Sequence, residues 1–176
     1  MPSPTITPGT ARLSVCWVLL LFFIPLLSIQ GRDLQGWVIK SLGYPLTACL
    51  IFVLLALAIG MTLRVAHRRE CQVPIPHLLW FLTLFLGAPL LLDRVEERLH
   101  FLVFGTFGAL SMLIYQPRTA VILCLAVAGG DELLQYFLPD RVGDWRDVGV
   151  NTLASIAATL FIWLVIIRNR EPLTYD

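Results

Sequence analysis

The sequence predicts an all-α, polytopic membrane protein, a bundle of about six transmembrane helices. Three observations carry that expectation. The 176 residues are 57% hydrophobic and only 14% charged, where a soluble domain is about half apolar and about a quarter charged. The apolar residues come in six blocks instead of being spread along the chain. The connections between blocks are too short to hold a soluble domain, so neighbouring helices are expected to run antiparallel.

Residues 1–12, MPSPTITPGTAR, are rich in Pro, Thr and Ser and read as an N-terminal tail. The first block, residues 13–30, follows Arg12. It is read as an uncleaved span because no A-x-A site precedes the next charge. The stretch GRDLQGWVIKSLGY behind it is expected to form a short interfacial helix, with Trp37 and Tyr44 at headgroup depth. The second block covers residues 45–65, the third 76–92, the fourth 99–115, the fifth 119–138 and the sixth 148–167. Each holds roughly 17 to 21 residues, enough to cross a hydrocarbon core about 30 Å thick. Residues 169–176 read as a C-terminal tail. Gly105, Gly108 and Ala109 in the fourth span and Ala154, Ala157 and Ala158 in the sixth are expected to let helices approach closely. Gly129 and Gly130 in the fifth are expected to allow close backbone approach or a local irregularity.

Charge excludes one class of partner. A formal net charge of +1 with no basic stripe leaves no nucleic-acid footprint. With six spans, Arg12, Arg64, Arg68, Arg69, Arg118, Arg168 and Arg170 share one side, and Arg32, Lys40, Arg94, Arg98, Arg141 and Arg146 the other. The cluster after the second span and the pair after the last place both termini in the cytoplasm. Acids are more lopsided: nine of twelve lie on or just below the outer side. The four cysteines, Cys16, Cys49, Cys71 and Cys124, show no metal-ligand spacing and mostly lie within apolar blocks, so neither a disulfide framework nor a zinc site is indicated.

The acids belong to a polar constellation. Glu96 and Glu97 stand four and three residues before His100, so either carboxylate shares a helix face with the imidazole. Asp131 and Glu132 have the same two spacings to Gln135. Asp147 and Asn151, four apart, open the sixth span behind Arg141 and Asp144. The fourth and sixth spans enter from the outer side and the fifth exits to it, so the three groups meet at one membrane face. Asp131 falls below the interface, where a lone carboxylate costs about 2.5 kcal/mol or more. His100, Arg141 and Arg146 are its candidate partners, and Asp144 or Asp147 suits an N-cap of the sixth helix.

These residues resemble the VanZ-like membrane family over about residues 76–163. The family pattern has an acid four residues before a His-Phe pair, then Asp-Glu-x-x-Gln, an Arg, and Asp-x-x-x-Asn. Here the matching residues are Glu96 with His100-Phe101, then Asp131-Glu132 with Gln135, then Arg141, then Asp147 with Asn151. The sequence departs at Glu96-Glu97, where the family has Asp-Lys, and at Ala154, where a Gly is common. Arg94 or Arg98 is the candidate replacement for the missing cation. The resemblance makes 76–168 a VanZ-like four-helix domain and 13–75 two additional N-terminal helices. It implies a bacterial inner-membrane protein, since the named member is associated with low-level resistance to glycopeptides of the teicoplanin type, which act at the outer membrane face.

The expected function is binding of a cell-envelope ligand at Glu96, His100, Asp131, Glu132, Gln135, Arg141, Asp147 and Asn151. The ligand is a lipid headgroup, a peptidoglycan precursor or a glycopeptide, with membrane lipids and a membrane-protein partner as further associates. Arg141 suits a phosphate or carboxylate. One alternative is a membrane-embedded hydrolase or transferase using His100 and Glu132 as acid and base. Another is a proton-coupled transporter or an accessory subunit of a membrane complex. No HExxH or other metal or cofactor motif is present, so none is expected.

Overall fold

The computed structural model describes residues 8–92, 94–139 and 144–168, apart from the side chains of residues 8–10 and 96. Among the described residues the chain forms six helices and no strand. They are α1 (Pro8–Leu42), α2 (Tyr44–Arg68), α3 (Ile75–Leu82), α4 (Val95–Ile114), α5 (Pro117–Tyr136) and α6 (Trp145–Ile162). Five of them, α6 counted with its continuation to Ile167, are long and apolar enough to cross a membrane.

Helix α1 departs from expectation. It runs unbroken for 35 residues, so the stretch expected as a separate interfacial helix is its continuation. At 1.5 Å per residue it reaches ~52 Å. Arg32, Asp33 and Lys40 suggest a break to the eye, but nothing in residues 31–42 forbids the helical backbone. Gly43, at φ +80°, turns the chain from α1 into α2 alone. That left-handed conformation disfavours side chains, and Pro45 then sits in the first turn of α2, where its missing N–H costs nothing.

The third span is shorter and less regular than expected. Helix α3 widens into a π turn over Thr83–Gly87, then tightens into a 3-10 turn over Ala88–Leu91. Pro89 supplies the cause, because its ring collides with the carbonyl one turn back. The whole segment, Ile75–Leu91, is 17 residues long.

Side-chain pairs fix the helix directions. Arg146 of α6 meets Glu97 of α4, and Thr159 bonds the carbonyl of Gly108, so α4 and α6 run parallel. Asp131 meets Asn151, and Cys124 meets Thr159, so α5 runs antiparallel to α6. Trp17 near the start of α1 donates to Ser111 near the end of α4 at 2.8 Å and packs on Phe107 and Tyr115. Helix α1 is therefore antiparallel to α4. The result is an up-and-down bundle in which the C-terminal parts of α1 and α5 share an end with the N-terminal turns of α4 and α6.

Helices α4 and α6 make the closest pairing. A Cβ at Gly108 would lie 2.1 Å from the carbonyl oxygen of Ser155, and Ala154 and Ala158 are buried. The expectation of small residues at this contact holds. Gly105 serves another neighbour, since its missing Cβ makes room for the Phe85 ring. Gly129 and Gly130 correct their expectation: a Cβ at either would meet nothing within 4 Å, and α5 passes through them as regular helix.

Candidate functional site

The polar site is centred on Asp131. Its Oδ2 accepts from Gln135 Nε2 at 3.1 Å, one turn along α5, and from Asn151 Nδ2 of α6 at 3.4 Å. Its Oδ1 accepts from the Ser28 hydroxyl of α1. Asp131, Gln135, Asn151 and Ser28 are all buried. Three helices thus supply donors to one carboxylate. A hydrogen bond to a charged group contributes about 1.5–3 kcal/mol, so these donors are enough to offset an insertion cost of about 2.5 kcal/mol or more.

Glu132 points to the next face. Its Oε1 accepts the backbone N–H of Asp144, at the entry to α6. The Asp144 side chain caps that helix, accepting from the N–H of Arg146 at 2.9 Å. Glu97 is buried and pairs with Arg146 at 3.2 Å. Arg146 is half in solvent, its side chain 51% exposed, while that of Glu97 is 4% exposed. His100, one turn below Glu97, packs near Phe104.

Among the described residues, three buried polar atoms here have no hydrogen-bond partner: His100 Nδ1, Glu132 Oε2 and Asn151 Oδ1. Buried polar atoms are rarely left so, and these three share one end of the bundle. Asp131, Gln135, His100 and Ser28 also border a cleft of about 950 Å³, open mouth included, between α1, α2 and α4.

Of the expected site residues, Asp131, Gln135 and Asn151 bond directly, Glu132 lies on the next face of the same turn, and His100 lines the same cleft as Asp131. Asp147 is half-buried in the first turn of α6. The Glu96 side chain and Arg141 lie outside the described residues. Glu97 pairs with Arg146, and His100 Nδ1 has no partner among the described residues. Arg98, a candidate for the replacement cation, bonds the Leu92 carbonyl at 2.8 and 3.2 Å and lies over Tyr44 and Phe52. Among the described residues no group of three or more His, Cys, Asp or Glu is arranged to hold a metal.

Sequence reasoning missed Ser28. Its only signal is a hydroxyl inside the apolar run FFIPLLSIQ, and its partner is 103 residues away. Through Ser28, helix α1 is part of the site.

The site's depth can be read from the aromatic residues. Trp37, Tyr136, Phe137 and Trp145 are exposed at this end of the bundle, as in an interfacial belt. Asp131 lies five residues before Tyr136, about 7–8 Å of helix, and Asn151 six after Trp145, about 9 Å. The carboxylate and its donors sit below the belt, inside the apolar zone.

In comparison with known proteins, the family model VanZ/LLP1 aligns with residues 13–167. No curated protein and no solved structure matches. The alignment takes in α1 and α2, so the likeness extends beyond the last four helices.

Proposed function

The chain belongs to the VanZ/LLP1 family, and from that premise we propose that it binds the polar part of a cell-envelope ligand at the Asp131 end of its bundle, from the outer face of a bacterial inner membrane. The ligand is a lipid headgroup, a peptidoglycan precursor or a glycopeptide. The observation that supports this reading is the set of buried atoms His100 Nδ1, Glu132 Oε2 and Asn151 Oδ1, without a partner among the described residues, beside a satisfied carboxylate. A purely structural network would close on itself. This one leaves hydrogen-bonding capacity facing one end of the molecule, and unsatisfied buried groups of that kind call for a partner.

Orientation rests on charge. Arg64, Arg68 and Arg69 lie at the far end of α2 from the site, and Arg168 at the far end of α6. Clustered basic residues face the cytoplasm.

The test is mass spectrometry of lipids and envelope precursors that co-purify with the protein, wild type against a Glu132→Gln, Asp147→Asn double variant. A headgroup-specific species retained only by wild type supports the reading. Equal, unselective lipid in both makes these acids structural and sinks it. The hydrolase or transferase alternative requires turnover of a lipid-linked substrate that disappears in His100→Ala.

A further inference from the structure

We infer that Arg12, Arg64 and Arg68 form a lipid contact at the end of the bundle away from Asp131, where they hold the phosphate of an anionic phospholipid lying against α1 and α2. The inference is independent of the envelope-ligand reading, since it uses none of the residues of the Asp131 site.

Helix geometry gathers the three arginines. Leu13 of α1 borders one hollow with Met61, Thr62 and Val65 of α2, so the start of α1 and the last turns of α2 lie at the same level. Arg12 adjoins Leu13. Arg64 and Arg68 stand three and seven residues after Met61, so they continue its helix face toward the end of α2. All three arginines are exposed.

Charge then selects the occupant. Among the described residues the one ion pair is that of Glu97 with Arg146, at the opposite end, and none of the three arginines has a partner. Arg64 and Arg68 are four apart, a spacing at which like charges repel. Glu70 is the one acid at this end among the described residues, and it pairs with none of them. The cluster therefore lacks an anion that the described chain does not supply. Next to it, Val15 and Leu19 of α1 and Leu57 and Met61 of α2 are exposed on helices long and apolar enough to cross a membrane. A phospholipid meets both features, with its chains along the apolar residues and its phosphate at the guanidinium forks, whose paired donors match two phosphate oxygens. An acidic protein would reach the arginines alone. A zwitterionic head brings a phosphate too, but also a cation that the arginines repel. By the orientation proposed above, this is the cytoplasmic leaflet, whose anionic lipids attract basic segments.

The experiment uses the full chain in detergent, with retained lipid read by native mass spectrometry. Phosphatidylglycerol and phosphatidylcholine with identical oleoyl chains are the probes. Wild type is expected to retain phosphatidylglycerol about tenfold over phosphatidylcholine, equivalent to ~1.4 kcal/mol. The pair Arg64→Gln, Arg68→Gln is expected to abolish that preference, and Arg12→Gln alone to lower it about threefold. The pair Arg118→Gln, Arg168→Gln removes the same charge from the same end, on α5 and just beyond α6, and is expected to keep it. Equal loss in the two pairs overturns the contact, because the basic end as a whole then attracts the lipid. Equal retention of both lipids by wild type overturns it as well. Full preference in Arg12→Gln removes α1 from the contact and overturns the three-arginine assignment. Thermal unfolding in lipid-free detergent checks the fold: the Arg64→Gln, Arg68→Gln pair is expected to be no less stable than wild type, since the repulsion between the two arginines is gone.

Discussion

The polar cluster around Asp131 was partly legible in the sequence because helical spacing is local. A carboxylate four residues before Gln135, and Asp147 four before Asn151, put hydrogen-bonding pairs on helix faces whatever the rest of the chain does. Ser28 was not legible, because its significance comes only from the packing of α1 on α5. Between Glu96 and Glu97 the sequence offered two equal choices, and the position of Arg146 on α6 makes Glu97 the buried acid of a half-exposed pair. That pair is asymmetric, and the asymmetry gives a prediction. Removing the guanidinium takes a charged partner from a buried carboxylate, whereas removing the carboxylate's charge leaves an arginine that already reaches solvent. Arg146→Ala is therefore expected to lower stability more than Glu97→Gln, by roughly 1–3 kcal/mol against less than about 1 kcal/mol. Thermal unfolding of the two variants in one detergent reads the difference, and a larger loss in Glu97→Gln contradicts it.

At the scale of helices, hydropathy located every span but misjudged how two of them are built. The polar residues after residue 30 suggested that α1 should stop, yet charge alone does not end a helix, and the break waits for Gly43. Pro89 distorts the third segment from inside an apolar run whose composition gives no warning. Glycines were ambiguous in the same way. Gly108, Gly129 and Gly130 look alike in sequence, but only Gly108 has another backbone where its Cβ would be. Gly108→Ala is expected to force α4 and α6 apart and cost roughly 1–3 kcal/mol, as overpacking does. Gly129→Ala meets open space and is expected to stabilise by about 0.5–1 kcal/mol through the better helix former. Opposite shifts in the apparent unfolding temperature are the sign to look for, and two shifts of the same sign refute the assignment of α4–α6 contact to Gly108.

For the whole molecule, orientation decides whether an envelope ligand can reach the site, and a count of Lys and Arg leaves it nearly balanced. Engagement of individual cations gives an argument for one orientation. Among the cations at the site end, Arg98 is occupied by the Leu92 carbonyl and the rings of Tyr44 and Phe52, and Arg146 by Glu97. At the other end Arg64 and Arg68 are exposed on the last turns of α2. Each basic group near an anionic leaflet is worth about 1 kcal/mol, and groups engaged by the protein contribute less of it. The basic end should therefore face the cytoplasm and the Asp131 end the outside. With the four native cysteines replaced, a cysteine at Trp145, which is 87% exposed, is expected to react with a membrane-impermeant maleimide in intact cells. A cysteine at Arg68 is expected to react only after the membrane is opened. The reverse pattern places the site toward the cytoplasm, where glycopeptides and surface-exposed precursors do not reach. The proposed binding would then have to concern a ligand met on the inner side.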